Sequence, residues 1–289
     1  MIRLVALDVD GTLVGDDLTI SSRVHAAIQA VQQTGDTIVT LATGRMFDFV
    51  APMAKSLGIT APLICYQGGM IKSILDTAPL YQMIMPSDVM HQVLAWQWKR
   101  NTRLVLYADD DVFLTERTYS EAYYRYFLGN RLVWVDDLAT VVEEHTPIKF
   151  VVFVDPDEAE TIRDELAQQF DGRIEVTRSH QEVVEGNPAG VSKGNALQWL
   201  AAYLSIRRTE AMAIGDHDND ISMVIWAGLG VAMGNASPAL KAVADWIAPP
   251  MEQDGVAAAL ERFVLRKERP VNREEVPPPY RRSYTNDPA

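Results

Sequence analysis

The chain has 289 residues, 48% of them hydrophobic, which is enough for a large buried core and for two structural units. Its formal net charge of −13 argues against a nucleic-acid partner, because a phosphate backbone is bound by a basic stripe and none is visible. The single cysteine, Cys65, cannot form an internal disulfide, and no apolar run has the length of a membrane span or a signal-peptide core. We therefore expect a cytoplasmic protein with no membrane partner.

The first third of the chain alternates between apolar strands and amphipathic helices. A helix is capped by Ser21 or Ser22 and ends at Gly35, and the strands around it are short and almost wholly apolar. Such alternation predicts an α/β fold with a doubly wound parallel sheet and functional loops at the carboxyl ends of its strands. In chain order, the predicted elements are a strand at 2–7, a helix to about 34, a strand at 36–41, a helix ending near 58 and a strand at 62–66.

The pattern changes after residue 69, where predicted strands begin to come in pairs. This indicates a separate α+β unit over 83–187, inserted into a core domain formed by 1–82 and 188–265. The end of the chain, 266–289, is proline-rich and charged, so we expect a flexible tail. The elements predicted in the insertion are helices at 87–99 and 157–170, a hairpin near 109–111, a strand at 148–154 and two short strands; the core resumes with a helix from 192 and strands at 210–214 and 230–233.

Two strands of the predicted core sheet end in acidic residues. Asp8 and Asp10 follow the first strand, and Asp216 and Asp220 follow a later one. Carboxylates gathered at one edge of a sheet repel each other unless a cation compensates them, and all-oxygen ligation favours Mg²⁺ or Ca²⁺. Mg²⁺ is the simplest hypothesis. An EF-hand is excluded by the spacing, since Leu13 occupies the position of its glycine, whereas ordinary turn chemistry and a glycosyltransferase-type Asp-x-Asp stay open.

The acidic pair after the first strand also suits a division of labour. Asp8 and Asp10 are two residues apart, so their side chains project to the same side if the strand geometry persists. Held against a cation, Asp8 would stay ionised and act as a nucleophile, while Asp10 would transfer protons. Gly11 lets the backbone turn sharply and present its amides to an anion.

Other polar residues at helix starts and loops complete a phosphoryl-transfer set. Thr43 and Gly44 open a helix after the second strand and offer a hydroxyl and free amides to a phosphoryl oxygen. Lys193 opens another helix and supplies positive charge, and Asn219 can donate to a substrate oxygen. Taken singly, each is more commonly a cap or a surface residue, so the argument depends on their combination.

Four segments together resemble the motifs of the haloacid dehalogenase-like hydrolase superfamily. They are LDVDGTL at 7–13, TLATGR at 40–45, VSKGNAL at 191–197 and GDHDND at 215–220. The insertion resembles the large α/β cap of the Cof-type sugar phosphatase subfamily, and the resemblance covers about residues 1–265. It implies a Rossmann-like core with an inserted cap and a Mg²⁺-dependent phosphatase that acts on small phosphorylated metabolites, sugar phosphates above all, through an aspartyl-phosphate.

The resemblance also implies roles for individual residues. Asp8 would be the nucleophile and Asp10 the general acid/base. Mg²⁺ would be held by the Asp8 carboxylate, the Asp10 backbone carbonyl and Asp216, with Asp220 supporting the metal or the lysine. The phosphoryl group and the substrate would be held by Thr43, Gly44, Arg45, Lys193 and Asn219.

One departure from the subfamily and two alternative functions stay open. The subfamily commonly carries Asn-Gly-Ala after the third strand, whereas this chain has Gln67 followed by two glycines, which puts a substrate contact at that position in doubt. A phosphomutase would show nearly the same motifs. A non-enzymatic phospho-acceptor or sensor module also gathers acids, a hydroxyl and a lysine, although an inserted cap favours an enzyme. The sequence does not indicate an oligomeric state.

Overall fold

The computed structural model describes residues 1–115 and 120–268. The strands are β1 Leu4–Leu7, β2 Ile38–Leu41, β3 Leu63–Cys65, β4 Met70–Lys72, β5 Tyr81–Gln82, β6 Arg103–Ala108, β7 Asp111–Leu114, β8 Leu132–Trp134, β9 Pro147–Phe153, β10 Ile174–His180, β11 Val183–Pro188, β12 Ala211–Gly215, β13 Leu229–Ala232 and β14 Trp246–Ile247. The helices are α1 Ser22–Gln33, α2 Phe47–Ser56, α3 Ser87–Arg100, α4 Glu121–Leu128, α5 Leu138–Glu144, α6 Ala159–Gln169, α7 Lys193–Tyr203, α8 Ile221–Trp226, α9 Pro238–Val243 and α10 Gly255–Leu260. A π-helical turn follows at Glu261–Leu265.

The larger part of the chain is built on a parallel sheet in the order β14-β13-β12-β1-β2. Strand β1 lies in its interior and is fully buried, with Leu4 opposite Ala211 of β12 and Ile38 of β2. Two groups of helices pack on the sheet: α1 contacts α10, while α8 contacts both α7 and α9. The predicted doubly wound α/β fold is confirmed.

Helix α1 shows how local sequence sets an element of this layer. Ser21 caps it by accepting a hydrogen bond from the backbone N–H of Val24 at 3.1 Å, and Gly35, at φ +73°, ends the turn after it. Its buried residues, Val24, Ile28 and Val31 among them, recur at helical spacing and face the sheet. Helix α1 thus covers the sheet that contains the buried strand β1, from which the acidic loop starts.

A second sheet, in the order β10-β11-β9-β6-β7-β8, is formed by residues between 103 and 188. It is antiparallel except for the β7–β8 pair. Alternate residues of β9 point to opposite faces: Phe150 and Val152 pack with α3, α5 and α6, while Val151 and Phe153 join the core of the parallel sheet layer. The predicted domain boundaries, 1–82 with 188–265 and 83–187, stay a prediction.

The third strand differs from the prediction for this region. Strand β3 joins the edge of the parallel sheet through a parallel bridge between Ala42 and Ile64, and it also forms a small antiparallel sheet with β4 and β5. The physical reason is the tight turn after β3, where Gln67 at φ +58° and Gly68 at φ +104° reverse the chain at once. Strands β4 and β5, three and two residues long, were not predicted.

Two further expectations concern the ends of the chain and membranes. The predicted flexible tail at 266–289 falls almost entirely outside the described residues. Within residues 1–115 and 120–268, none of the helices is long and apolar enough to cross a membrane.

Candidate active site

The acidic residues gather where β1 and β12 end side by side. Asp8 follows β1 directly and Asp216 follows β12, and the register pairs Leu7 with Ile214 at the last rungs of these strands. A short 3₁₀ turn at Asp218–Asp220 brings Asp220 back beneath the same edge, with its side chain fully buried. Carboxylate oxygens of Asp8, Asp216 and Asp220 lie within 4.8 Å of one another.

Lys193 forms ion pairs with two members of this acidic cluster. It is the first residue of α7, whose cap, Ser192, accepts a hydrogen bond from the backbone N–H of Asn195. The ammonium lies 2.6 Å from the Asp8 carboxylate and 2.6 Å from the Asp220 carboxylate, and the side chain is 1% exposed. Burial lowers the pKa of Lys193, but the two carboxylates outweigh burial and raise this pKa above its ordinary value.

The cluster still holds more negative than positive charge. Burial, with repulsion from Asp220, raises the pKa of Asp8 well above its ordinary value and the pKa of Asp216 to about 6. Lys193 compensates one of the three carboxylates. When all three carboxylates are ionised, two negative charges of this all-oxygen donor set have no positive partner, which fits a divalent cation of the Mg²⁺ type.

The roles of the acids within the cluster can be separated by their hydrogen bonds. Asp220 binds Lys193 through Oδ1, and its Oδ2 accepts from the backbone N–H groups of Asp216 and His217 at 3.0 and 3.1 Å. Its oxygens are therefore occupied, as expected of a supporting residue. Asp216 accepts from the Thr12 hydroxyl at 2.9 Å through Oδ1, which leaves Oδ2 as its oxygen for a cation.

The side chain of Asp10 lies apart from the three clustered acids. Its carboxylate accepts hydrogen bonds from Arg45: the Nε lies 2.9 and 2.8 Å from its two oxygens, and a terminal nitrogen lies 2.7 Å from Oδ1. This fork geometry holds the Asp10 carboxylate toward the loop after β2. The Asp10 side chain therefore lies outside the acidic cluster, whereas the Asp220 side chain is part of it. The prediction for residue 10 named its backbone carbonyl, not its side chain, as the metal ligand. The predicted contact of Arg45 with phosphate stays a prediction.

Two glycines of the site lie close against side chains of neighbouring loops. Gly11 lies at φ +79°, and a Cβ there would sit 2.3 Å from Oδ2 of Asp216. A Cβ on Gly44 would sit 2.4 Å from the side-chain nitrogen of Gln67. Thr43 is fully buried and its hydroxyl accepts from the backbone N–H of Arg45 at 3.1 Å, so the loop after β2 is locked by its own threonine.

A cavity of about 470 Å³ opens above these loops, in the range of small-molecule sites. Thr43, Lys193 and Asp220 lie buried beneath its floor. The predicted residues that line it are Asp8, Asp10, Gly11, Gly44, Arg45, Asp216 and Asn219. The second sheet supplies the opposite wall with Tyr107, Lys149, Val151, Phe153, Val183 and Glu185.

Sequence reasoning missed Lys149 and Glu185. Each is a charged residue within an apolar strand, in PIKFVVF for β9 and in VVEGNP for β11, and that interruption was the available signal. Gln67, whose role was in doubt, also lines the cavity and accepts a hydrogen bond from the Asn219 amide at 3.0 Å.

Comparison with known proteins agrees with this geometry. Residues 5–260 match the family model of the haloacid dehalogenase-like hydrolases. The chain belongs to this family. The recognition made from the four motifs is therefore confirmed.

Named relatives and a solved structure resemble the chain over nearly its whole length. A 5-amino-6-(5-phospho-D-ribitylamino)uracil phosphatase of Bacillus subtilis is 29% identical over 266 residues, covering 91% of this chain and 96% of the relative. An HMP-PP phosphatase of Yersinia pseudotuberculosis is 31% identical over 269 residues, covering 91% and 96%. The crystal structure of a haloacid dehalogenase-like hydrolase from Bacteroides thetaiotaomicron has a TM-score of 0.80 and 29% identity, covering 91% of this chain and all of the other. The prediction of an enzyme, a phosphoric monoester hydrolase of this family, is confirmed.

Proposed function

We propose that this protein is a Mg²⁺-dependent phosphatase that hydrolyses small phosphorylated metabolites, sugar phosphates above all, through an aspartyl-phosphate on Asp8. The observation that carries the proposal is the position of the Asp8 carboxylate. It stands at the end of an interior strand, on the floor of the cavity, held at 2.6 Å by a buried lysine. A nucleophile fixed in this way is already oriented before the substrate arrives.

The two half-reactions can be assigned to residues of this chain. One Asp8 oxygen attacks phosphorus, the bond from phosphorus to the ester oxygen breaks, and that oxygen takes a proton from Asp10. Water then attacks phosphorus, gives its proton to Asp10, and the bond from phosphorus to Asp8 breaks, releasing inorganic phosphate. Asp10 lines the same cavity as Asp8. To carry the proton, Asp10 must turn one oxygen from Arg45 toward the substrate or the water.

Charge balance supports the metal and the lysine in this assignment. A phosphate ester brings up to two negative charges to a site that already holds three buried carboxylates and one ammonium. Mg²⁺, when bound by Asp8, the Asp10 carbonyl and Asp216, supplies positive charge that offsets the transferring phosphoryl group. Lys193 favours the ionised form of Asp8 and orients its carboxylate, and the loop of Thr43 and Gly44 holds the phosphoryl oxygens.

The test combines activity with detection of the intermediate. The protein is offered sugar phosphates, nucleotides, flavin phosphate and pyridoxal phosphate after chelation, with and without added Mg²⁺, and release of inorganic phosphate is measured. We expect Mg²⁺-dependent release, and a loss of about 10³-fold or more in Asp8→Asn. Asp36→Asn, an exposed acid before β2, is the matched control.

Rapid quenching followed by borohydride reduction and mass spectrometry should place the trapped phosphoenzyme on Asp8. Full activity after exhaustive chelation, or turnover retained by Asp8→Asn, contradicts the proposal. Accumulation of an isomeric sugar phosphate without free phosphate would identify a phosphomutase instead. Phosphorylation without any turnover would identify a phospho-acceptor module.

A further inference from the structure

A buried ion pair faces the active-site cavity from the second sheet. The Lys149 ammonium of β9 lies 2.6 Å from the Glu185 carboxylate of β11, and the two side chains are 3% and 7% exposed. Both residues line the cavity wall opposite Asp8, among Val151, Phe153 and other apolar side chains.

Fold stability does not account for this pair. Removing two charges from water costs several kcal/mol per ion, and well-packed apolar residues of similar volume often stabilise a protein as much or more. The neighbours on the same face, Val151 and Val183, show that apolar residues suit this wall. A pair that is costly to bury and that borders a ligand cavity is better explained by what it binds.

The pair also belongs to a row of polar groups that crosses the cavity. The Lys149 ammonium donates to the Gly44 carbonyl at 3.1 Å, in the loop assigned to the phosphoryl group. On the other side, the Gln67 amide nitrogen is 3.5 Å from Oε1 of Glu185, and the Gln67 carbonyl accepts from Asn219. The row therefore connects the phosphoryl end of the cavity with the wall that must face the leaving group.

The polar atoms of this row that still need a hydrogen-bond partner are acceptors. Glu185 Oε1 has a single long contact, and Asn219 Oδ1 is buried with no partner among the described residues. Lys149 already donates to Glu185 and Gly44. A buried acceptor without a donor is costly, so a ligand that complements these two oxygens is one that carries O–H or N–H groups.

We propose that Glu185 and Asn219 form the leaving-group subsite of this phosphatase and select phosphate esters whose leaving group carries several hydroxyl groups, as sugars and polyols do. Lys149 is a positioning residue that holds the Glu185 carboxylate in place and ties it to the Gly44 loop. The inference rests on the proposed function, because it assumes that the phosphoryl group lies over Asp8.

The experiment measures selectivity rather than activity alone. The value of kcat/KM is determined for a panel of hexose, pentose and polyol phosphates and for p-nitrophenyl phosphate, whose leaving group has no further hydroxyl donors. In the wild type, we expect the best sugar or polyol phosphate to exceed p-nitrophenyl phosphate. In Glu185→Gln, we expect the ratio of the two kcat/KM values to fall about 10- to 100-fold, the effect of losing a hydrogen bond to a charged group.

Two further variants separate binding from folding. Glu185→Gln leaves the Lys149 ammonium buried without its partner, which destabilises the protein. The double variant Lys149→Met with Glu185→Met removes both charges, should stay folded by thermal melting, and should show the same loss of selectivity. Lys149→Arg, which keeps the charge, should recover part of the ratio lost in Lys149→Met. Glu165→Gln breaks an Arg100 ion pair elsewhere in the same unit and is the matched control, with an unchanged ratio.

A ratio that stays at the wild-type value in the folded double variant overturns the inference. Failure of the proposed function is a different result, since it is read from Asp8→Asn and from trapping, not from the ratio. If the subsite exists but catalysis does not proceed through Asp8, the Glu185 variants would change the ratio while Asp8→Asn kept its turnover.

Discussion

Replacing Asp216 by asparagine removes one of three buried carboxylates and should make the metal-free protein more stable at neutral pH. Burial and repulsion from Asp220 raise the pKa of Asp216 from 3.8 to about 6. At about 1.4 kcal/mol per pKa unit, a shift of about two units corresponds to at most about 3 kcal/mol of folding free energy. Asparagine keeps an oxygen that can accept from Thr12, so the neutral side chain retains its local hydrogen bond.

The sign of the pH dependence follows from proton linkage. Between about pH 4 and pH 6 the folded state binds more protons at Asp216 than the unfolded state, so the free energy of unfolding falls as the pH rises. The difference in unfolding free energy between Asp216→Asn and the wild type should therefore be about 1.5 kcal/mol larger at pH 8 than at pH 5.

Urea unfolding in EDTA at pH 5 and pH 8 measures this difference, and Asp36→Asn is the exposed control. Added Mg²⁺ should stabilise the wild type at pH 8, by about 2.7 kcal/mol when its concentration is a hundred times the Kd, and should stabilise Asp216→Asn much less. The reasoning is refuted if Asp216→Asn is the less stable protein at pH 8 in EDTA, or if Mg²⁺ stabilises both proteins equally.

Two other predictions concern residues packed against the acids. Lys193→Met should abolish turnover and destabilise the protein by about 3–5 kcal/mol at pH 7, because Asp8 and Asp220 lose their shared buried partner. Phosphate release measures the turnover, and urea unfolding measures the stability. A stability loss below about 1 kcal/mol would contradict the pairing. Gly11→Ala should weaken stabilisation by Mg²⁺ and lower kcat, because its Cβ would meet Asp216 Oδ2 at 2.3 Å and its φ is +79°. Gly35→Ala is the control, because a Cβ on Gly35 meets no neighbouring atom. If Gly11→Ala keeps the Mg²⁺ stabilisation and the kcat of the wild type, the contact with Asp216 is unimportant.

The floor of the site could be predicted because it is set by local sequence. Asp8 and Asp216 each follow an apolar strand within one residue, and parallel strands place such residues at the same sheet edge whatever the rest of the chain does. Lys193 could be located for a similar reason, since a capped helix start fixes where its first side chain stands. The fold class followed from the same alternation of strands and helices.

The opposite wall could not be predicted because it depends on register and on long-range packing. Lys149 faces the cavity only because β9 lies between β11 and β6 with the alternation that points residues 149, 151 and 153 toward the parallel sheet layer. A shift of one residue would have turned the lysine to the helix-covered face. The antiparallel pairing of β4 with β3 was missed for a related reason, since it follows from the backbone angles of Gln67 and Gly68, which the motif pattern does not contain.

Gln67, the residue at which the chain departs from the subfamily motif, contacts several parts of the site. Its φ of +58° lies in a region that asparagine adopts more readily than glutamine, so the longer side chain is retained at some cost to the backbone. The extra methylene gives it reach: the same amide accepts from Asn219 on the core side and approaches Glu185 on the second sheet. It also fills the space above Gly44, where any Cβ would collide with it. One buried side chain thus contacts the loop after β2, the acidic loop after β12 and the second sheet, which are the three parts of the chain that line the cavity.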